Sequence, residues 1–283
     1  MEFTTLNNGV QMPMEGFGVF QIPDQTECKQ AVLDALNAGY RLIDTAAAYL
    51  NEEAVGQAIR ESGVSRADIF LTTKLWVQDF GYENAKKAIE VSLEKLGVEY
   101  IDLLLLHQAF GDYYGAYRAM EEAYKDGKIK AIGVCNFYPE RLVDLCMNME
   151  VVPTVNQIEC HPFFQQAEAL RIAKEYDVKV EAWGPFAEGG HGIFTHPVLT
   201  AIGKKYGKTA AQVVLRWNIE RGVVVIPKSV HKERIEQNID IWDFSLDQAD
   251  MDKIAELDLG KSEIIDHFSP AIAKMLNTHK IHE

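Results

Sequence analysis

Asp44, Lys74 and His107 each end a short apolar run of the chain, in RLID, IFLTTK and IDLLLLH, and Tyr49 follows Asp44 by five residues across the small stretch TAAA. Asp and Lys are seldom buried unless paired, so two that close neighbouring apolar runs are natural partners. A phenol beside such a pair becomes a usable acid: its ordinary pKa is about 10, and an adjacent ammonium favours the phenolate. With Asp44 keeping Lys74 protonated and placed, Tyr49 is expected to be a general acid that gives a proton to a developing alkoxide. The same residues also suit a plain structural ion pair, since ion pairs perturb pKa values without doing chemistry. His107 taken alone suits a satisfied core histidine as well as a site residue, and its type does not fix its charge.

These residues need elements to position them. Eight short apolar segments read as strands, at 16–20, 41–44, 69–74, 101–107, 131–135, 154–159, 179–183 and 223–227, and helical patterns separate many of them. Cys28, Ala31, Val32, Ala35 and Leu36 have helical spacing behind a capping box of Asp24 and Glu27, and Gly39 closes that helix. Similar patterns end at Gly63, Gly97, Gly127 and Gly222, and Asn51 is placed to cap the helix after Tyr49. Strand and helix in alternation mean an α/β fold with a parallel sheet, either open or closed. Eight units in 283 residues favour a (β/α)8 TIM barrel. No Pro, Gly or Ser-rich linker divides the chain, so residues 1–283 are expected to form one barrel domain with a short C-terminal tail. Ahead of the first unit, FTTLNNGVQM reads as a hairpin with a two-residue Asn8-Gly9 turn, closing the bottom of the barrel. GFGVFQ begins like a dinucleotide fingerprint, but Gln21 replaces the third glycine and Ile22-Pro23 interrupts before a helix can start.

Composition excludes several function classes. A formal charge of −14, from 42 acidic against 28 basic residues, opposes both a phosphate backbone and an anionic membrane surface. No apolar stretch approaches the roughly 20 residues that span a bilayer, and the first residues lack the basic-then-apolar pattern of a signal peptide. Cys28, Cys135, Cys146 and Cys160 show no CxxC pairing and read as reduced packing residues. No strand carries an HxH pair, so no metal site is expected. The chain thus reads as a cytoplasmic protein, expected to be a monomer, with a small-molecule partner and no nucleic acid or membrane.

The stretches RLIDTAAAYLNEEAVG, FLTTKLW, DLLLLHQ, GVCNF, TVNQIECHPF and VVVIPKSVHKERIEQN together resemble the aldo-keto reductases, in order and through nearly the whole chain. The resemblance implies a bacterial-type, NADPH-dependent enzyme, similar to diketo-sugar-acid and aldehyde reductases, that reduces an aldehyde or ketone by hydride transfer from nicotinamide C4. It implies a catalytic set of Asp44, Tyr49, Lys74 and His107, with Tyr49 as proton donor and His107 orienting the carbonyl. Asn136 and Gln157, at strand exits, carry the donors and acceptors to clamp a carboxamide, and Trp183 is placed to stack on the nicotinamide. Asn136 equally suits a turn, and Trp183 the core. Lys228, Ser229 and Arg234 gather at a helix start after the eighth strand, where an anion is favoured, although a solvated charged face gives the same pattern. The resemblance assigns them to the adenosine 2′-phosphate and Gln237 and Asn238 to the adenine. It adds Gly18, Val19, Gly184, Phe186 and Val230 to the cofactor contacts.

Some positions depart from the commoner family pattern. Cys135 stands where a serine usually holds the carboxamide, Trp183-Gly184 replaces Tyr-Ser, and Gln237 replaces a glutamate. Phe20 and Ala109 take the places of a tryptophan and a proline, leaving Phe20, Trp76 and Phe110 to make an apolar, aromatic substrate pocket. Two other readings stay open. A Schiff-base aldolase would use Lys74 as nucleophile, which pairing with Asp44 disfavours. A non-catalytic nucleotide-sensing barrel would tolerate loss of a catalytic residue, and none is lost.

Overall fold

All eight expected strands form and pair in parallel. The computed structural model describes residues 2–283. Strands β1 (Phe3–Thr5) and β2 (Gln11–Pro13) precede β3 (Phe17–Gly18), β4 (Leu42–Asp44), β5 (Phe70–Leu75), β6 (Leu103–Leu106), β7 (Ile132–Cys135), β8 (Val155–Glu159), β9 (Lys179–Trp183) and β10 (Val224–Val225). Strands β3 to β10 follow chain order in one sheet. Its two ends meet: the Gly16 N–H donates to Val225 O at 2.8 Å, the Val225 N–H to Met14 O at 3.1 Å and the Gly18 N–H to Pro227 O at 3.1 Å. The barrel is therefore closed and leaves no unpaired edge in this sheet. At this seam a Cβ on Gly18 would stand 3.0 Å from Ile226 O, so a glycine lets the two strands approach.

The covering helices are α1 (Gln25–Ala38), α2 (Glu52–Glu61), α3 (Tyr82–Leu96), α4 (Tyr113–Lys125), α5 (Pro139–Asn148), α6 (Ala167–Glu175), α7 (Pro197–Tyr206), α8 (Ala210–Glu220), α9 (Lys232–Ile239), α10 (Gln248–Ala255) and α11 (Pro270–Thr278). The apolar faces of α1 to α6 and part of α8 and α9 pack on a wall typified by Leu103 to Leu106, all fully buried, while α7 and α10 bury theirs in a second cluster with the other face of α8. The Asp24 carboxylate caps α1 by accepting from the Glu27 N–H at 2.8 Å, the first half of the expected box.

The hairpin forms with a different turn. Only Gly9 takes a positive φ, of 87°, and the Gly9 N–H donates to Leu6 O while the Leu6 N–H donates to Val10 O. The loop is thus three residues, 7–9, a turn closed by a glycine in the left-handed region, rather than the expected Asn8-Gly9 pair, whose geometry needs positive φ at both positions. Its position is as expected. The Asn7 and Asn8 amides donate to Pro153 O and Lys130 O, both at 3.0 Å, on the segments entering β8 and β7, and Leu6 and Met12 are buried at that end.

Two features near the other end bear on the site. Asn51 does not cap α2 with its side chain. It is fully buried and donates to Val19 O at 3.0 Å and Ile22 O at 3.1 Å while accepting from Thr45 Oγ1 at 2.7 Å, so it fastens the loop after β3 to the loop that carries Tyr49. The tail is short but crosses the barrel top: the Trp76 Nε1–H donates to His279 O at 2.8 Å, and Gln78 exchanges hydrogen bonds with the backbone of Ile281 and His282. Replacing Asn51 with Ala strands two buried carbonyls, so a loss of about 2–4 kcal/mol in folding stability is expected. A fall in the urea midpoint at unchanged slope checks it; an unmoved midpoint would show that the two loops hold without this side chain.

Candidate active site

Neighbouring strands β4 and β5 bring Asp44 and Lys74 together inside the barrel, and both are buried. Lys74 Nζ donates to Asp44 Oδ1 at 2.6 Å, to Thr45 O at 2.9 Å and to Tyr49 Oη at 3.3 Å. All three ammonium protons are therefore used. Tyr49 reaches inward because the chain leaves β4 in a single tight turn, Ala47–Tyr49, that ends on Leu50 in the left-handed region. His107 follows β6, with its ring edge-on to those of Tyr49 and Trp76 at centroid distances of 5.6 and 5.2 Å. The four residues expected to converge do so.

Burial favours the neutral amine of Lys74, but the surrounding groups, Asp44 first among them, together outweigh it and hold the ammonium above the ordinary lysine range. Burial pushes the Asp44 carboxyl up, while Lys74 and the Gln157 amide favour its ionised form. At 2.6 Å from an ammonium we take Asp44 as the carboxylate. A charged lysine whose protons are all donated is a poor nucleophile, which disfavours the Schiff-base reading. Tyr49 corrects an expectation: burial raises its pKa more than Lys74 lowers it, so the phenol stays protonated well past neutral pH. His107 is settled as well. Burial and then the Lys74 charge hold it well below the ordinary histidine range, so the imidazole is neutral at pH 7.

A cavity of about 650 Å³ opens above these groups. It is lined by Gly18, Phe20, Trp76, Asn136, Gln157, Trp183, Gly184, Phe186 and Lys228 among the residues singled out in the sequence. Phe110 does not line it. That ring packs partly buried against the core, because the turn after His107 carries it away from the mouth, which corrects its assignment to the substrate pocket. Val19, Ser229, Val230, Arg234, Gln237 and Asn238 also lie off the cavity wall. Val19 is buried, and the Ser229 Oγ accepts from the His231 N–H at 3.1 Å within its own loop. Arg234, in the first turn of α9, is exposed.

Asn136 takes a positive φ of 62° as the chain leaves β7. Its Nδ2 donates to His107 O at 3.1 Å and its Oδ1 accepts from Trp183 Nε1 at 2.9 Å, so it is a turn residue and a cavity wall at once. The Gln157 NH2 is turned inward onto Asp44. The sequence reading overlooked Gln108, Phe194, Ile264, Ile265, His267, Leu276 and His279, which are also part of the cavity wall. Most belong to loops and the tail, where neither period nor motif marks a residue; Gln108 had a signal in its place beside His107.

The family model described as "Aldo/keto reductase family" matches residues 16–259, which span the barrel and every residue of the Asp44, Tyr49, Lys74 and His107 cluster. The chain belongs to the aldo/keto reductase family. It is 48% identical to glyoxal reductase of Bacillus subtilis, covering 89% of this chain and 91% of that one, and 45% identical to methylglyoxal reductase DkgA of Escherichia coli K12, covering 90% and 93%. A crystal structure of an aldo-keto reductase from Bombyx mori in complex with NADP superposes with a TM-score of 0.88 at 35% identity, covering 94% of this chain and 95% of that one.

In this aldo/keto reductase the ion pair is fully desolvated, which sets the cost of breaking it. Lys74→Met leaves the Asp44 carboxylate buried and unpaired and is expected to destabilise the fold by about 3–5 kcal/mol, whereas adding Asp44→Asn removes the stranded charge and recovers a large part of the loss. Urea unfolding of the two single variants and the double variant measures the coupling; additive losses would mean that the two groups do not sense each other.

Proposed function

We propose that the chain reduces aldehydes or ketones to alcohols with NADPH, Tyr49 giving the proton. The observation that carries this reading is the Tyr49 hydroxyl lying 3.3 Å from the buried Lys74 ammonium at the floor of an open cavity. Membership of the family makes the chain an NADP-dependent oxidoreductase acting on carbonyl groups. Bound NADPH supplies the hydride, which no side chain can.

The chain's own residues position the carbonyl and manage the proton. Tyr49 donates its O–H to the oxygen as negative charge develops there, and Lys74 stabilises the phenolate that remains. Asp44 keeps Lys74 charged and pointed at Tyr49. The His107 Nδ1 is buried without a partner, which leaves Nε2 as the nitrogen offered to the carbonyl oxygen, and a neutral ring does so without bringing a second positive charge to Lys74.

The residues present fit the cofactor. Asn136 Oδ1 keeps a lone pair beyond its bond to Trp183, and the Gln157 carbonyl keeps one beyond its long contact from the Cys135 thiol at 3.8 Å, so two acceptors are available for the carboxamide NH2. Trp183 would face the nicotinamide, with Gly18, Val19, Gly184 and Phe186 along the groove. Lys228, Ser229, Val230, Arg234, Gln237 and Asn238 would take the adenosine end. Neither Lys228 nor Arg234 has an acidic partner among the described residues, and both stand near the start of α9, which suits an anion.

Phe20 and Trp76 would contact the substrate, and the relatives named for glyoxal and methylglyoxal make small aldehydes the first compounds to assay. We further infer one barrel domain over 1–283, acting as a monomer in the cytoplasm. A core cluster that includes residues from β3 to β10, the free thiols of all four cysteines and the net charge of −14 support that setting and disfavour a nucleic-acid or membrane partner.

Tyr49→Phe is expected to lower kcat for aldehyde reduction by about 10²–10⁴-fold while NADPH still binds, as followed by quenching of the tryptophan fluorescence. Reduction at the wild-type rate would remove Tyr49 as donor. Arg234→Ala is expected to raise KM for NADPH by about tenfold or more and to leave KM for NADH nearly unchanged. Equal effects on both cofactors would contradict the 2′-phosphate contact.

A further inference from the structure

The barrel interior holds a second carboxyl group for which the reaction above has no use. Glu181, in the middle of β9, is fully buried and sits in register with Gln157 on β8. The Gln157 Nε2 donates to Glu181 Oε2 at 2.8 Å as well as to Asp44 Oδ2 at 2.9 Å. Glu181 Oε1 is buried with no hydrogen-bond partner, and Lys74 has spent its protons on Asp44, Thr45 and Tyr49. Two carboxyl groups thus share one amide, and one of them alone has a cation.

We infer that Glu181 is a positioning residue for the reduction: as a neutral acid it holds the Gln157 amide with its NH2 turned into the barrel and its carbonyl toward the mouth, and keeps a second negative charge away from Asp44 and Tyr49. The inference rests on the Tyr49 reading above. A flipped Gln157 would set its carbonyl against the Asp44 carboxylate, so the pair of acceptors fixes the orientation.

Burial, and then the Asp44 charge, push Glu181 up to about 8. The titratable groups on the surrounding elements are few. Asp44 on β4 and Lys74 on β5 carry the charges, and the Cys135 thiol on β7 is pushed up by burial and stays neutral. Glu159 on β8 is turned to His161 at 2.9 Å and Ser262 at 2.6 Å, and β10 presents only Val224 and Val225. When Tyr49 gives up its proton, its phenolate joins Asp44 around Lys74. An ionised Glu181 adds a third negative group to one ammonium and raises the cost of that state. Reduction is therefore fast while Glu181 is protonated and slows as pH rises through its ionisation.

The test is the pH profile of kcat for NADPH-dependent reduction of methylglyoxal, from about pH 6 to about pH 10, in the wild type, Glu181→Gln, Glu181→Leu and Tyr49→Phe. For a group titrating near 8, the wild-type rate is expected to fall about tenfold between pH 7 and pH 9. Both Glu181 variants are expected to lose that fall, and Glu181→Leu alone to raise KM for NADPH, since it also removes the acceptor that orients Gln157. A wild-type profile without the fall, or a fall that persists unmoved in both variants, overturns the inference.

A second readout is independent of catalysis. The folded chain keeps on Glu181 a proton that the unfolded chain releases above its ordinary value of 4.5, so stability is lost as pH rises from about 4.5 to about 8. Glu181→Gln is expected to flatten Tm over that window, and an unchanged slope counts against a protonated Glu181. If Tyr49→Phe stays active, the donor assignment fails, and the Tm comparison still judges Glu181.

Discussion

The contact between Lys74 and Asp44 at 2.6 Å, both inside a closed apolar barrel, is the constraint from which the rest of the site follows. A lone charge there would be driven to neutralise, and the pair survives because each group finds nearly all of its polar partners locally. Lys74 has three acceptors, and Asp44 has Lys74 on one oxygen and Gln157 on the other. Those partners come from β4, β5, β8 and the loop after β4, so the pair needs the whole barrel closed around it. Four leucines of β6, all fully buried, make one stretch of the wall, and Leu103 and Leu105, in register with Thr72 and Lys74, are the two that keep water away from its charges.

Tyr49 depends on that pair and also on the rest of its loop, whose backbone the pair grips at Thr45 O. The turn that carries the phenol is fastened by Asn51, through two backbone carbonyls of the segment after β3 and the Thr45 hydroxyl. The consequence is electrostatic as well as geometric. A phenol held at the floor of the cavity, with burial outweighing the lysine charge, stays protonated, so the lysine does not act by making a phenolate in the resting chain. Under the proposed mechanism it acts when charge appears, which is where an interaction contributes to rate rather than to binding.

What could be read from the sequence divides along the same line. The strands and the polar residues at their ends were legible because strand ends are fixed by local pattern: RLID, FLTTK and DLLLLH mark their own exits. Asn51 was misread as a helix cap because its type fits a cap equally well, and only the approach of the segment after β3 decides between the two uses. Phe110 was misplaced for the opposite reason, since the sequence puts it close to His107 while the turn sends it to the core. Glu181 did carry a signal, a lone acid inside the apolar strand KVEAW, two residues before the exit at Trp183. Its meaning needed the register with Gln157, which no single strand contains.

The mouth has two kinds of wall, and they answer to different constraints. Asp44 and Gln157 reach it from strands, with Lys74 and Glu181 buried beneath them, and their hydrogen bonds have no solvent replacement. Ile264, Ile265, His267, Leu276 and His279 come from the tail, held to the barrel by Ser262 on Glu159 and by Trp76 on His279 O. Neither ring nitrogen of His267 has a partner, and Phe268 is largely exposed beside Tyr138. Changes there alter the shape and polarity of the cavity without touching the buried pair. Under the proposed function, chemistry and selectivity would be carried by separate parts of the chain, and a substitution in residues 264–279 would change which carbonyl compound fits while leaving the proposed proton path through Tyr49 the same.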